Sequence, residues 1–144
     1  MYKRALVPLD GSMVAETIIP LILEIAGPLD MEVVLLRVVQ PTPPVVIEGT
    51  RHIEVEDVEA RRLDAQEYLA SLAAELRDKG VRVGTRVRRG LPSEEIAAAA
   101  GEEGADLIAM STHGHRFLQD LLRGSTADRV RHGVSIPVLM VRAK

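Results

Sequence analysis

The chain has 144 residues, with 18 Lys and Arg against 21 Asp and Glu, for a formal charge of −3. It contains no cysteine, which excludes disulfides, thiolate metal sites and cysteine nucleophiles. Hydrophobic residues make up 47% and aromatic residues 2%, so the core is aliphatic and Tyr2, Tyr68 and Phe117 are too few to stack a strand of nucleic acid.

Strand and helix signals alternate from the start. Residues 4 to 9, Arg-Ala-Leu-Val-Pro-Leu, form a short apolar run that ends at Asp10-Gly11-Ser12, a turn and helix-start signal. Val14, Ile18, Ile22 and Ile25 then recur at helical spacing. Pro20 lacks an N–H and clashes with the preceding turn, so it predicts a kink or a regular helix that begins near it. Gly27-Pro28 is expected to end that helix. Met31 to Val39 reads as a second strand, apolar enough to be buried on both faces. Pro41, Pro43 and Pro44 make residues 40 to 53 a long loop.

Val58, Ala65, Leu69, Leu72 and Leu76 mark one face of a long helix closing at Gly80. Val81, Val83, Thr85 and Val87 alternate with polar or small residues, a half-exposed strand on which Arg86, Arg88 and Arg89 should face solvent. Ser93, followed by Glu94 and Glu95, is expected to cap a helix carrying Ile96, Ala97 and Ala100. Asp106 to Met110 is a fourth strand, 111 to 123 a loop, Ser125 to His132 a short helix and Pro137 to Arg142 a last strand.

Five strands separated by helices predict one α/β domain over 1–144, a doubly wound, five-stranded parallel sheet with helices on both faces. A ligand of such a sheet sits beyond the carboxyl ends of its strands, where the strand order reverses. No apolar run approaches the roughly 20 residues of a membrane span. The first residues also lack a signal peptide's apolar stretch. A soluble cytoplasmic protein is expected, with no nucleic-acid or membrane partner.

The strongest chemical signal is Met110-Ser111-Thr112-His113-Gly114, nine residues, then Gly124-Ser125-Thr126. A glycine directly after a strand lets an anion approach the main chain. Gly124-Ser125 opens a helix whose unpaired N–H groups suit phosphate. His113 and His115 have no identifiable third ligand, so no metal centre is expected of them. The P-loop and dinucleotide-binding glycine patterns are both absent.

Val7-Pro8-Leu9-Asp10-Gly11-Ser12, Gly90-Leu91-Pro92 with Ile96, the Ser111-to-Ser125 segment and Pro137-Val-Leu-Met-Val-Arg142 together resemble the universal stress protein family. The likeness runs over essentially the whole chain. It implies a Rossmann-like fold of the adenine nucleotide alpha hydrolase kind. The family's ATP-binding branch carries Gly, two residues, Gly, nine residues, then Gly-Ser or Gly-Thr. Gly114, the nine-residue spacer and Gly124-Ser125 match, whereas the first glycine is Ser111 here. Serine is small enough for close approach but would be strained at φ > 0.

The resemblance implies that Pro8, Asp10 and Val38 border adenine and ribose, with Met110 and Ser111 near the ribose. Gly114, Gly124, Ser125 and Thr126 would hold the phosphates of ATP, or of AMP or ADP. Asp10 would meet those phosphates through Mg²⁺, because a bare carboxylate would repel them; its plain alternative is to cap the Gly11-Ser12 turn. The resemblance further implies an antiparallel homodimer through strand 137–142, and a stress-response module that senses nucleotide rather than an enzyme. Two alternatives stay open: a slow ATPase, and a dimeric stress adaptor that binds no nucleotide.

Overall fold

The computed structural model describes residues 2–40, 53–112 and 126–142. Along these the order is β1 (Arg4–Leu9), α1 (Met13–Glu16), α2 (Ile18–Leu29), β2 (Glu32–Val39), α3 (Ile53–Asp78), β3 (Arg82–Arg89), α4 (Pro92–Glu102), β4 (Leu107–Thr112), α5 (Thr126–Gly133) and β5 (Val138–Arg142). The strands form one sheet in the order β3-β2-β1-β4-β5, and every pairing is parallel. The chain winds outward from β1 to β3, then returns to the other side of β1 for β4 and β5. The reversal of strand order therefore lies between β1 and β4, as in doubly wound sheets generally.

Alternation along the strands sorts the core into two layers. On one face Val7, Ile22, Leu35, Leu69 and Ala109 pack together, under α2 and α3. On the other, Leu6, Leu36, Ile96, Ile108 and Val130 pack under α4 and α5. The runs in β1, β2 and β4 are apolar on both faces because helices cover both.

Three helices end alike. Asp30, Gly80 and Gly104 each take a left-handed backbone after α2, α3 and α4. The next residue then donates back five positions: Met31 to Ala26 at 2.9 Å, Val81 to Leu76 at 3.2 Å and Ala105 to Ala100 at 2.9 Å. This is the Schellman closure, and in each case it buries an apolar side chain just before a strand begins.

Some local expectations change. Pro20 sits in the first turn of α2, where its missing N–H has no intrahelical acceptor to lose. Gly27-Pro28 does not end that helix, which runs on to Leu29. Gly27 has no Cβ to clash with the proline ring, so Pro28 fits the last turn. Ser93 is not the cap of α4: Leu91 holds that position and Pro92, with its φ already set, is the first helical residue. Glu94 and Glu95 still lie in the positive first turn. The arginines of β3 are less solvent-directed than their alternation suggests. Arg88 pairs with Glu95 at 2.8 Å and with Glu102, and Arg86 pairs with Glu103 at 2.9 Å. No helix among the described residues is long and apolar enough to cross a membrane.

Candidate functional site

The sheet is not equally closed on the two sides of β1. Towards β2 the register runs unbroken from Arg4–Glu32 to Leu9–Arg37. Towards β4 it covers only Ala5–Leu107 and Leu6–Ile108. The main chain explains where the pairing stops. The Lys3 carbonyl accepts from Glu32 on the β2 side, and the Arg4 carbonyl accepts from Asp106 on the β4 side. Even-numbered residues of β1 thus turn their main-chain groups towards β4. The next rung would need the N–H of residue 8 to donate to the Ala109 carbonyl. Residue 8 is proline, which has no donor. A proline inside a central strand is normally excluded; here it is accommodated because it stands where the ladder ends. The paired ladder therefore ends there, and the unladdered stretch between the carboxyl halves of β1 and β4, at the point of strand-order reversal, is the seam.

Three of the expected site residues converge on one face of this seam. Met110 is 7% exposed and belongs to the core layer under α4 and α5. Val38 is half-buried and packs on the same layer. Pro8 follows Leu6 on that face by alternation and is also half-buried. They come from the ends of β4, β2 and β1, and they form an aliphatic wall with no aromatic ring in it.

Asp10 lies exposed just past β1, and its Oδ1 accepts the Ser12 N–H at 2.8 Å. Turn-capping is therefore one role that it performs. The Ser12 hydroxyl in turn caps α1 by accepting from the Ala15 N–H at 3.1 Å. Gly11, between them, has φ +87°. A Cβ there would stand 3.0 Å from the Arg37 guanidinium, the movable end of a long side chain, so the positive φ is what calls for glycine. Arg37 lies against this turn on one side and over the Tyr68 ring, 5.2 Å from its centroid, on the other. The Tyr68 hydroxyl donates to Glu16 at 2.7 Å. Burial first, and then that carboxylate, hold the phenol protonated well above the usual tyrosine range, while the Arg37 cation pulls the other way.

Ser111 lies within β4, which extends two residues beyond the expected strand. Among the described residues Asp30 is the one non-glycine with positive φ, so serine in place of glycine at 111 brings no backbone strain. Its side chain turns away from the Met110 wall, towards α1. The Ser111 hydroxyl is 2.7 Å from the Thr17 hydroxyl and 3.3 Å from the Ala15 carbonyl. Thr126 begins α5. Gly114, Gly124, Ser125, His113 and His115 lie outside the described residues, as do residues 41–52 of the long loop.

Sequence reasoning missed Thr17, Arg37 and Tyr68. A charged residue inside the apolar run of β2 was the available signal for Arg37. Nothing local marks Thr17, because its partner is 94 residues away. A second concavity, an apolar groove of about 370 Å³ lined in part by Tyr2, Leu29, Met31, Leu107 and Leu139, lies at the opposite, amino end of the strands. Its lining is apolar apart from the Tyr2 hydroxyl and holds no charged side chain, so the seam is the stronger candidate.

The chain is similar over its length to known proteins. It is 33% identical over 142 residues to the universal stress protein MJ0531 of Methanocaldococcus jannaschii, covering 99% of this chain and 83% of that one. The solved structure of MJ0577 superposes with a TM-score of 0.84 at 31% identity, covering 100% of this chain and 98% of that one. The universal stress protein from Archaeoglobus fulgidus in complex with dAMP shares the fold, with a TM-score of 0.66 at 22% identity over 97% of this chain and 98% of its own. The family model for universal stress proteins matches residues 1–142, and with the doubly wound sheet and its seam in place the chain belongs to that family.

Proposed function

We propose that the chain binds an adenine nucleotide in the seam between β1 and β4 and acts as a nucleotide-sensing module of the stress response. The observation that carries this reading is the early end of the β1–β4 ladder at Pro8, with Pro8, Val38 and Met110 on one side of the gap. An aliphatic slot can enclose a purine, and main-chain groups left without ladder partners can read its edge. A relative of the same fold was solved with dAMP. In this reading Gly114, Gly124 and Ser125, in the sequence between β4 and α5, and Thr126 at the start of α5 supply main-chain and hydroxyl donors to the phosphates. ATP is the ligand that this phosphate loop suits.

Mg²⁺ fits the same reading. Asp10 gives one carboxylate oxygen to the Ser12 N–H, and among the described residues no hydrogen-bond donor meets the other, which would face the cation. The phosphates and water would complete its shell, as Mg²⁺ prefers. Bound there, the ion offsets the repulsion between Asp10 and the phosphate oxygens.

The test is the mass of whatever is released on denaturing freshly purified protein, followed by titration with ATP. Adenine nucleotide is expected in both measurements. Gly124→Val, which adds a branched side chain at the proposed phosphate loop, should weaken ATP at least tenfold. Undiminished affinity in that variant would displace the phosphate site. Many turnovers of ADP per hour from Mg·ATP would make the protein an enzyme instead.

The proposal includes a homodimer through β5. This strand is a sheet edge, and its Val138, Leu139, Met140 and Val141 are all partly exposed. An apolar edge with unpaired main-chain groups invites a second strand, and closed two-fold pairing is the common outcome. Leu139→Lys should halve the mass in solution; a variant that keeps the wild-type mass would move the interface elsewhere.

A further inference from the structure

The seam has two sides, and they are built differently. On the α4/α5 side it is an aliphatic wall. On the other side α1 and α2 pack over β4. Because α1 follows β1 after the short Asp10-Gly11-Ser12 turn, it continues the β1 wall of the seam. Ser111 belongs to the β4 wall. At this open end, where the ladder is absent, the Ser111 hydroxyl makes the hydrogen bonds that join the two walls among the described residues.

The distances give the bridge a direction. Each hydroxyl owns one hydrogen, so two arrangements balance: Thr17 donates to Ser111 and Ser111 to the Ala15 carbonyl at 3.3 Å, or Ser111 donates to Thr17 and Thr17 to the Val14 carbonyl at 2.7 Å. The shorter terminal bond selects the second, with the two hydroxyl oxygens 2.7 Å apart. The chain runs Ser111 to Thr17 to Val14, from β4 into the break between α1 and α2. Glycine at 111 has no hydroxyl and could not start it.

We propose that Ser111 and Thr17 are positioning residues of the nucleotide site. Their bridge closes the seam on the α1 side and fixes the spacing of its walls, so that ligand enters from the side of Pro8, Val38 and Met110. This rests on the nucleotide reading above. It assigns Ser111 a role that the motif glycine cannot fill: its side chain holds the back of the seam while its main chain remains at the opening.

Titration of ATP and AMP into wild type, Ser111→Ala, Thr17→Val, the double variant and Ser111→Thr tests this. Loss of one hydrogen bond between the walls should weaken both nucleotides about fivefold in each single variant. The double variant should be no worse than either single, since both remove one bridge. Ser111→Thr, which keeps the hydroxyl on a residue suited to a strand, should bind within about twofold of wild type. Rescue by threonine separates positioning from general loss of packing. Wild-type affinity in Ser111→Ala or Thr17→Val, or additive losses in the double variant, would overturn the bridge while leaving the nucleotide reading intact. A wild-type protein that binds neither nucleotide would overturn the reading, and the positioning role with it.

Discussion

The two sides of β1 differ in a way that neither its composition nor its burial reveals. Towards β2, six consecutive pairs zip the strands together, and Arg37 of the last pair lies against Gly11 and Tyr68. Towards β4, two pairs form and the ladder stops. One strand thus pairs along its whole length on one edge and stops short on the other, and the residue at the break is the one that has no N–H to donate.

The contrast can be broken from either end. Leu6 lies at the last closed rung and is fully buried. Leu6→Ala should cost about 2–5 kcal/mol of stability through lost burial and the cavity left behind, read by urea unfolding. Pro8→Val should behave in the opposite way. It regains a donor for the Ala109 carbonyl, a gain of about 1 kcal/mol. It also frees the unfolded chain, a loss of about 0.4–1 kcal/mol. Stability should therefore barely move, while the seam narrows and adenine nucleotide affinity falls about tenfold. Amide exchange should find the new N–H at residue 8 protected. An unprotected amide with unchanged affinity would mean that proline is not what holds the seam open.

Much of this architecture was legible in the residues. Apolar runs and helical spacing marked the strands and helices, because burial on both faces leaves a near-continuous apolar run in β1, β2 and β4. Alternation fixed which of Pro8, Val38 and Met110 share a face once the strands were placed. Helix ends were less legible: Pro28 and Ser93 carry stop and cap signals that Gly27 and Pro92 override locally. The back of the seam was legible only in part. Ser111 stood out as the departure from the motif glycine, but Thr17 is an ordinary polar residue in sequence, and only the fold brings their hydroxyls together across 94 positions. The same holds for Glu16 and Tyr68, 52 residues apart.

The closed side of β1 has its own, smaller test. Tyr68 supports Arg37 through its ring and Glu16 through its hydroxyl, and the phenol is held protonated well above the ordinary range by burial and then by the Glu16 carboxylate. The unfolded chain releases this proton near pH 10. Above that pH the folded state binds more protons than the unfolded one, so stability falls as pH rises. What Tyr68 contributes is therefore complete below about pH 10 and is lost progressively above it. Tyr68→Phe keeps the ring for Arg37 and deletes the titrating group. In urea unfolding from pH 7 to 11, wild type should exceed the variant by a constant margin, under about 1.5 kcal/mol, up to about pH 9. The margin should shrink from about pH 10 onward. A margin that stays flat to pH 11 would mean that the hydroxyl is not held by Glu16, and that the ring under Arg37 alone supports the Gly11 turn.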